Sequence, residues 1–226
     1  MTTTSQLNQE VHFLPPTEHA EAWKTLPDPL RVEQTSTALR ANGFKVEYVS
    51  NGKEALEKIL SLMPQGARVM KGSSATLDQI GFNSLLKSGV HPWVNLKEGV
   101  FAEKDPQKRM ELGKQAVLTD YFVGSVQAVT QSGQLVSGSG TGSQIAAYAF
   151  MAKNLILVVG THKVTSDLDE ALRRLREHCL PLEDKRMKGL GAPGTVLSKI
   201  FIYEKELRPD TMVSVHVILV NEPLGF

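Results

Sequence analysis

The stretch Leu155-Ile-Leu-Val-Val-Gly160-Thr-His-Lys163 decides the fold. Leu155 to Val159 is an unbroken apolar run, the pattern of a strand covered on both faces by helices. A glycine and polar residues follow at once, so the run ends at the carboxyl end of a strand. Open α/β sheets place their ligands at such ends. Lys163 there can hold an anionic group, or act as a Schiff-base amine if its pKa is depressed. His162 can move protons near neutral pH. A solvated loop would carry the same two side chains without any function. Asp167 begins the next helix.

Working outward, strand and helix patterns alternate. Strands are expected at Phe44 to Val49, Ala67 to Met70, Ile200 to Tyr203 and Val213 to Val220. Residues 31–42 form a helix stopped by Asn42-Gly43. Ser50 or Asn51 caps a second, with Ala55, Leu56, Ile59, Leu60 and Met63 on one face, ended by Pro64-Gln-Gly66. A third follows Thr76 with Leu77, Ile80, Leu85 and Leu86 inward, and Asp105-Pro106 opens a fourth to about Leu118. Tyr121 to Thr130, the turn Ser132-Gly133 and Leu135-Val136 read as one antiparallel hairpin. Helices then run from Gln144 to Met151 and from a Ser166/Asp169 capping box to Glu177. The pattern predicts an α/β fold: a Rossmann-like, mainly parallel sheet flanked by helices, with a β-hairpin insertion. Residues 1–28, polar and broken by Pro15, Pro16 and Pro27, read as an N-terminal arm, and 29–226 as a single domain. His12 and His19 in that arm have no acidic or cysteine partner in register for a metal.

Composition excludes several classes. The 226 residues are 41% hydrophobic, enough for a globular core. Lys and Arg number 25 against 24 Asp and Glu, so no overall field attracts nucleic acid or an anionic membrane. The single cysteine, Cys179, excludes an internal disulfide and a cysteine-built metal cage. It continues the Leu168–Leu172–Leu175 face and reads as a small buried hydrophobe. MTTTSQLNQE lacks the apolar core of a signal peptide, and the apolar runs are too short for a bilayer, so a soluble cytoplasmic protein is expected.

The strand-end rule ranks the loops 71–76, 124–130, 137–143, 160–167 and 221–225. In Lys71-Gly-Ser-Ser-Ala-Thr76, Gly72 permits close backbone approach. Free N–H groups and the hydroxyls of Ser73, Ser74 and Thr76 suit an anion, with Lys71 adding charge. Ordinary N-capping by Ser73 or Ser74 is the alternative, and P-loop spacing is absent. The run 137–143 carries Gly138, Gly140 and Gly142 before a helix. A dinucleotide fingerprint would need a glycine where Ile145 stands, so a flexible hairpin exit is the plain reading. Lys185-Arg186, on a loop after Pro181, is an anion clamp or a solvated pair. Glu222 is a base or a turn cap. Ser125, Thr130 and Ser143 complete the candidate ligand-binding set. There is no G-x-S-x-G motif and no metal-ligand spacing, and no cofactor can be named.

Together, Lys71 to Gly81, Asp120 to Gly133, Gly160-Thr-His-Lys-Val164, Lys185-Arg186 and Val217 to Phe226 resemble the lactate-utilisation (LUD) domain family. The pieces run in family order over roughly residues 30–226. The resemblance implies the fold shared by ribose-5-phosphate isomerase, glucosamine-6-phosphate deaminase and the CoA transferases. It implies a protein that binds a small anionic metabolite or cofactor and supports oxidation of lactate to pyruvate. Redox partner subunits carrying iron–sulfur clusters would accept the electrons, and a homo-oligomer fits too. Two departures stand out. The stretch Gly189 to Tyr203 lacks the cysteines that many relatives carry there, and Ser143-Gln144 replaces a frequent Asn-Arg. Two other readings stay open: a stand-alone isomerase, deaminase or acyl-transfer enzyme using Lys163, His162 and Glu222, and a structural subunit with a vestigial pocket.

Overall fold

The computed structural model describes residues 21–208 and 213–226. His12 and His19 lie outside them. A six-stranded parallel sheet forms the centre, in the order β1-β10-β7-β4-β2-β3. Its strands are β1 (Lys45–Val49), β2 (Arg68–Lys71), β3 (Val94–Asn95), β4 (Tyr121–Gly124), β7 (Asn154–Gly160) and β10 (Ser214–Val220). Strand β7 is covered on both faces, as its apolar run predicts. Leu155, Leu157 and Val159 enter one core with Phe122, Tyr148 and Val217. Ile156 and Val158 enter the other with Ile59, Leu77 and Phe82. A second, smaller sheet is mixed. It has the order β8-β5-β6-β9 and is made of β5 (Ala128–Thr130), β6 (Leu135–Ser139), β8 (Val164–Thr165) and β9 (Lys199–Tyr203).

The helices follow local chemistry. Helix α1 (Pro29–Ala41) starts where Asp28 accepts from the Arg31 N–H, with Pro29 in the first turn where a missing donor costs nothing. It begins two residues earlier than the apolar pattern suggests. Asn51 caps α2 (Gly52–Leu62), which turns Ala55 and Ile59 inward and Leu60 outward. Ser74 caps α3 (Ala75–Gln79), and Gly81 in the left-handed region separates it from α4 (Phe82–Ser88). Helices α5 (Leu96–Ala102) and α6 (Pro106–Ala116) follow. Gly142, also left-handed, introduces α7 (Ser143–Ala146), which continues as one π-helical turn, Ala147–Met151.

Four expectations need correction. Tyr121 to Thr130 is not one arm of a hairpin: β4 pairs in the central sheet, and the chain then crosses to β5, which forms the hairpin with β6. The cap of α8 (Leu168–Arg173) lies one residue later than read, with Asp167 accepting from the Glu170 N–H and Glu170 reaching back to the Ser166 N–H. The helix does not stop at Glu177. It passes through a π-helical segment, Arg174–Cys179, into α9 (Leu180–Gly189). Lys185 and Arg186 therefore stand on a helix, which runs on through Pro181. Among the described residues of the 1–28 segment, Trp23 is buried, and its indole N–H donates to Glu170 Oε1 at 3.2 Å. Among the described residues no helix is long and apolar enough to cross a membrane.

Candidate functional site

The carboxyl ends of β2, β4, β7 and β10 converge on a cavity of about 930 Å³, closed from the other side by the 138–144 segment and α9. Among the described residues its wall carries the side chains of Lys71, Lys97, Lys114 and Lys163 against one carboxylate side chain, Glu183. The rest is largely apolar, including Met70, Val117, Phe122, Leu175 and Leu197. An apolar pocket with a few converging polar groups is the usual form of a small-molecule site.

Lys163 is the centre. It sits in a single 3₁₀ turn after β7 and is 2% exposed. Its Nζ donates to Thr76 Oγ1 at 3.0 Å and to Ser125 Oγ at 3.1 Å. Thr76 donates in turn to the Leu224 carbonyl at 3.2 Å, so β7, α3, the β4 end and the β10 end meet at one amine. No carboxylate pairs with Lys163 among the described residues. Burial, reinforced by the Arg174 charge, pushes its pKa down to about 7. Burial and the neighbouring Lys97 charge lower Lys71 to about 8, and burial lowers Lys97 as well.

Two glycines make room. A Cβ on Gly225 would meet Thr76 Oγ1 at 2.3 Å and Lys163 Nζ at 3.1 Å. At Gly124 a Cβ would collide with Tyr148 Oη at 2.1 Å. That close approach lets the Tyr148 hydroxyl donate to the Ser125 carbonyl at 2.8 Å and accept from the Ser125 N–H at 3.2 Å. Tyr148 thus fixes the residue whose hydroxyl meets Lys163.

Of the residues singled out by sequence, Lys71, Gly72, Ser73, Ser74, Thr76, Ser125, Gly140, Gly142, Ser143 and Lys163 share this cavity wall. Ser74 also caps α3. Arg186 approaches from α9. Its guanidinium is held by both Glu183 oxygens at 2.7 Å and donates to Ser73 Oγ at 2.8 Å, tying the helix to the 71–76 loop.

The remaining candidates stand apart. Thr130 is fully buried in the hairpin turn, bonded to Ser132 and Gln134. Lys185 is exposed on α9. Glu222 accepts from the Gly52 N–H at 2.9 Å, which makes it a cap for α2. His162 is buried behind the wall, where burial and the charges of Lys163 and Arg174 push its pKa down to about 2. It stays a neutral imidazole and does not titrate near pH 7. Cys179 is buried and borders the cavity; burial raises its thiol pKa.

Sequence reasoning missed Lys97, Lys114, Gln144 and Tyr148. Gln144 Nε2 donates to Ser137 Oγ at 3.3 Å and to the Gly138 carbonyl at 3.2 Å. No motif marks Lys97, Lys114 or Tyr148; Gln144 stands out as a departure from the family's frequent Asn-Arg, without a role assigned to it. Among the described residues, no group of three or more His, Cys, Asp or Glu side chains could hold a metal ion.

Comparison with known proteins supplies the family. No curated protein matches the chain. Its structure is similar to the crystal structure of a DUF162 family protein from Deinococcus radiodurans, with 12% identity and a TM-score of 0.47, covering 87% of this chain and 100% of that one. The model of the LUD domain matches residues 32–220, which span β1 to β10 and all of the cavity wall except Gly225 and Phe226. The chain belongs to the LUD domain family.

Proposed function

We propose that the protein binds a small anionic metabolite or cofactor in the strand-end cavity and, through it, supports the use of lactate or a related 2-hydroxy acid. The observation that carries this reading is Lys163, a buried lysine on the cavity wall whose Nζ donates, among the described residues, to two hydroxyls and to no carboxylate. An ammonium removed from water without a counter-charge is costly. A ligand carboxylate arriving against it would supply that charge, and Lys71 and Lys97 on the same wall add to the attraction. Oxidation of a 2-hydroxy acid to a 2-oxo acid releases two electrons and two protons, which redox partner subunits would accept.

The test is calorimetric titration of the protein with L-lactate and pyruvate, repeated on Lys163→Met. Binding that falls at least tenfold in the variant supports the reading. Equal affinity in the two proteins, or no binding of any anion in a broad screen, would sink it and favour a structural subunit with a vestigial pocket. The depressed amine pKa favours a second reading, a stand-alone enzyme on a sugar phosphate or acyl-CoA. Turnover of such a substrate by the purified chain would establish it.

A further inference from the structure

We propose that Lys163 captures carbonyl compounds covalently: its Nζ forms an imine with an aldehyde or ketone that also carries a carboxylate. The inference rests on the anion-binding reading of the same cavity and deepens it by naming the ligand class.

Three features of the geometry support it. First, the Thr76 and Ser125 hydroxyls have acceptors for their own protons in the Leu224 and Val126 carbonyls and in each other, at 3.3 Å, and so can offer lone pairs to Nζ. Such hydroxyls hold the amine in place without fixing a positive charge on it, as a carboxylate would. Second, Lys71 and Lys97 stand on the same wall, so the ligand's carboxylate has cations other than Lys163. Third, Lys163 itself lines the cavity, so a ligand held there reaches the amine from the cavity side. An amine pKa near 7 leaves much of the amine unprotonated and nucleophilic at neutral pH.

The step balances without an oxidant or reductant. The nitrogen lone pair attacks the carbonyl carbon and the C=O π electrons move to oxygen. The carbinolamine oxygen gains protons and leaves as water, the amine gives up two protons, and a C=N bond remains. Thr76 and Ser125 are within reach to pass those protons. The apolar wall fits a ligand body longer than that of pyruvate.

The experiment incubates the protein with pyruvate or with 4-methyl-2-oxopentanoate, reduces with sodium borohydride, and maps the adduct by peptide mass spectrometry. About one adduct per chain, on the peptide carrying Lys163 and dependent on both oxo acid and reductant, is expected. No adduct, or adducts scattered over surface lysines, overturns the proposal. The unmodified chain decides this even if a variant misfolds. Lys163→Arg, checked by thermal melting, is expected to lose trapping. Calorimetry separates the two ideas. Binding of lactate and oxo acid without an adduct overturns the imine alone; absence of any binding overturns the anion site as well.

Discussion

Two fully buried cations sit on opposite sides of the same wall and are held in opposite ways. Arg174, 0% exposed, lies behind the cavity in the π-helical segment. Its guanidinium donates to the Gln127 carbonyl, to Cys179 Sγ at 2.9 Å and to the Trp23 carbonyl at 3.4 Å. Those bonds join the second sheet, the long helix and the N-terminal turn. Lys163 meets two hydroxyls and faces the cavity. A buried charge held by backbone carbonyls works as structure, since its removal strands acceptors that nothing else can satisfy. A buried charge held by hydroxyls beside a cavity can exchange its partners for those of a ligand. The contrast separates scaffold from site more sharply than burial does.

The largest test of that contrast is Arg174→Ala. It is expected to lower stability by about 2–4 kcal/mol, through lost packing and unpaired carbonyls, read from the urea midpoint. Lys163→Met is expected to move the other way, stabilising the protein by about 1–3 kcal/mol at neutral pH while anion affinity drops by about tenfold or more. A destabilised Lys163→Met would erase the distinction between the two cations.

The pH dependence comes next. Lys163 and Lys71 have folded pKa values of about 7 and about 8, below the 10.5 of an exposed lysine. Above pH 7 the unfolded chain therefore binds more protons than the native one, and stability rises with pH toward 10.5. That rise is expected to shrink in Lys163→Met. His162 and His178, lowered from 6.5 to about 2 and about 4, act at the other end, with stability falling as pH drops below 6.5. Thermal melts across this range check both limbs. The smallest expected effect belongs to Glu222→Gln. The amide oxygen can still accept from the Gly52 N–H, so stability should change by less than about 0.5 kcal/mol and ligand affinity not at all. A large loss of binding there would return Glu222 to the site.

The sequence made the central sheet legible where both faces are buried. The 155–159 run has one reading because no polar residue interrupts it, and alternate residues do enter the two cores. The strand-end rule then located 71–76 and 160–163. It failed where local pattern is blind to pairing. Tyr121 to Thr130 keeps the same β-rich composition across the step from one sheet to the other, so nothing local marks Ser125 as a crossing point. Pro181 looked like a break because a proline in mid-helix usually is one, yet the π turn before it frees the carbonyl register it would otherwise disturb. Lys97 and Tyr148 were invisible because their place in the wall depends on contacts between distant segments.

The packing of Gly124 against Tyr148 also sets how freely the site can diverge. At the end of a buried strand a valine or isoleucine would ordinarily be welcome. Here even one methyl group would strike the phenol oxygen and push away the group that holds Ser125 by both its N–H and its carbonyl. Gly124 and Tyr148 can therefore change only together. Among chains that keep the hydroxyl facing Lys163, these two positions are expected to co-vary, although neither lies in a recognisable motif.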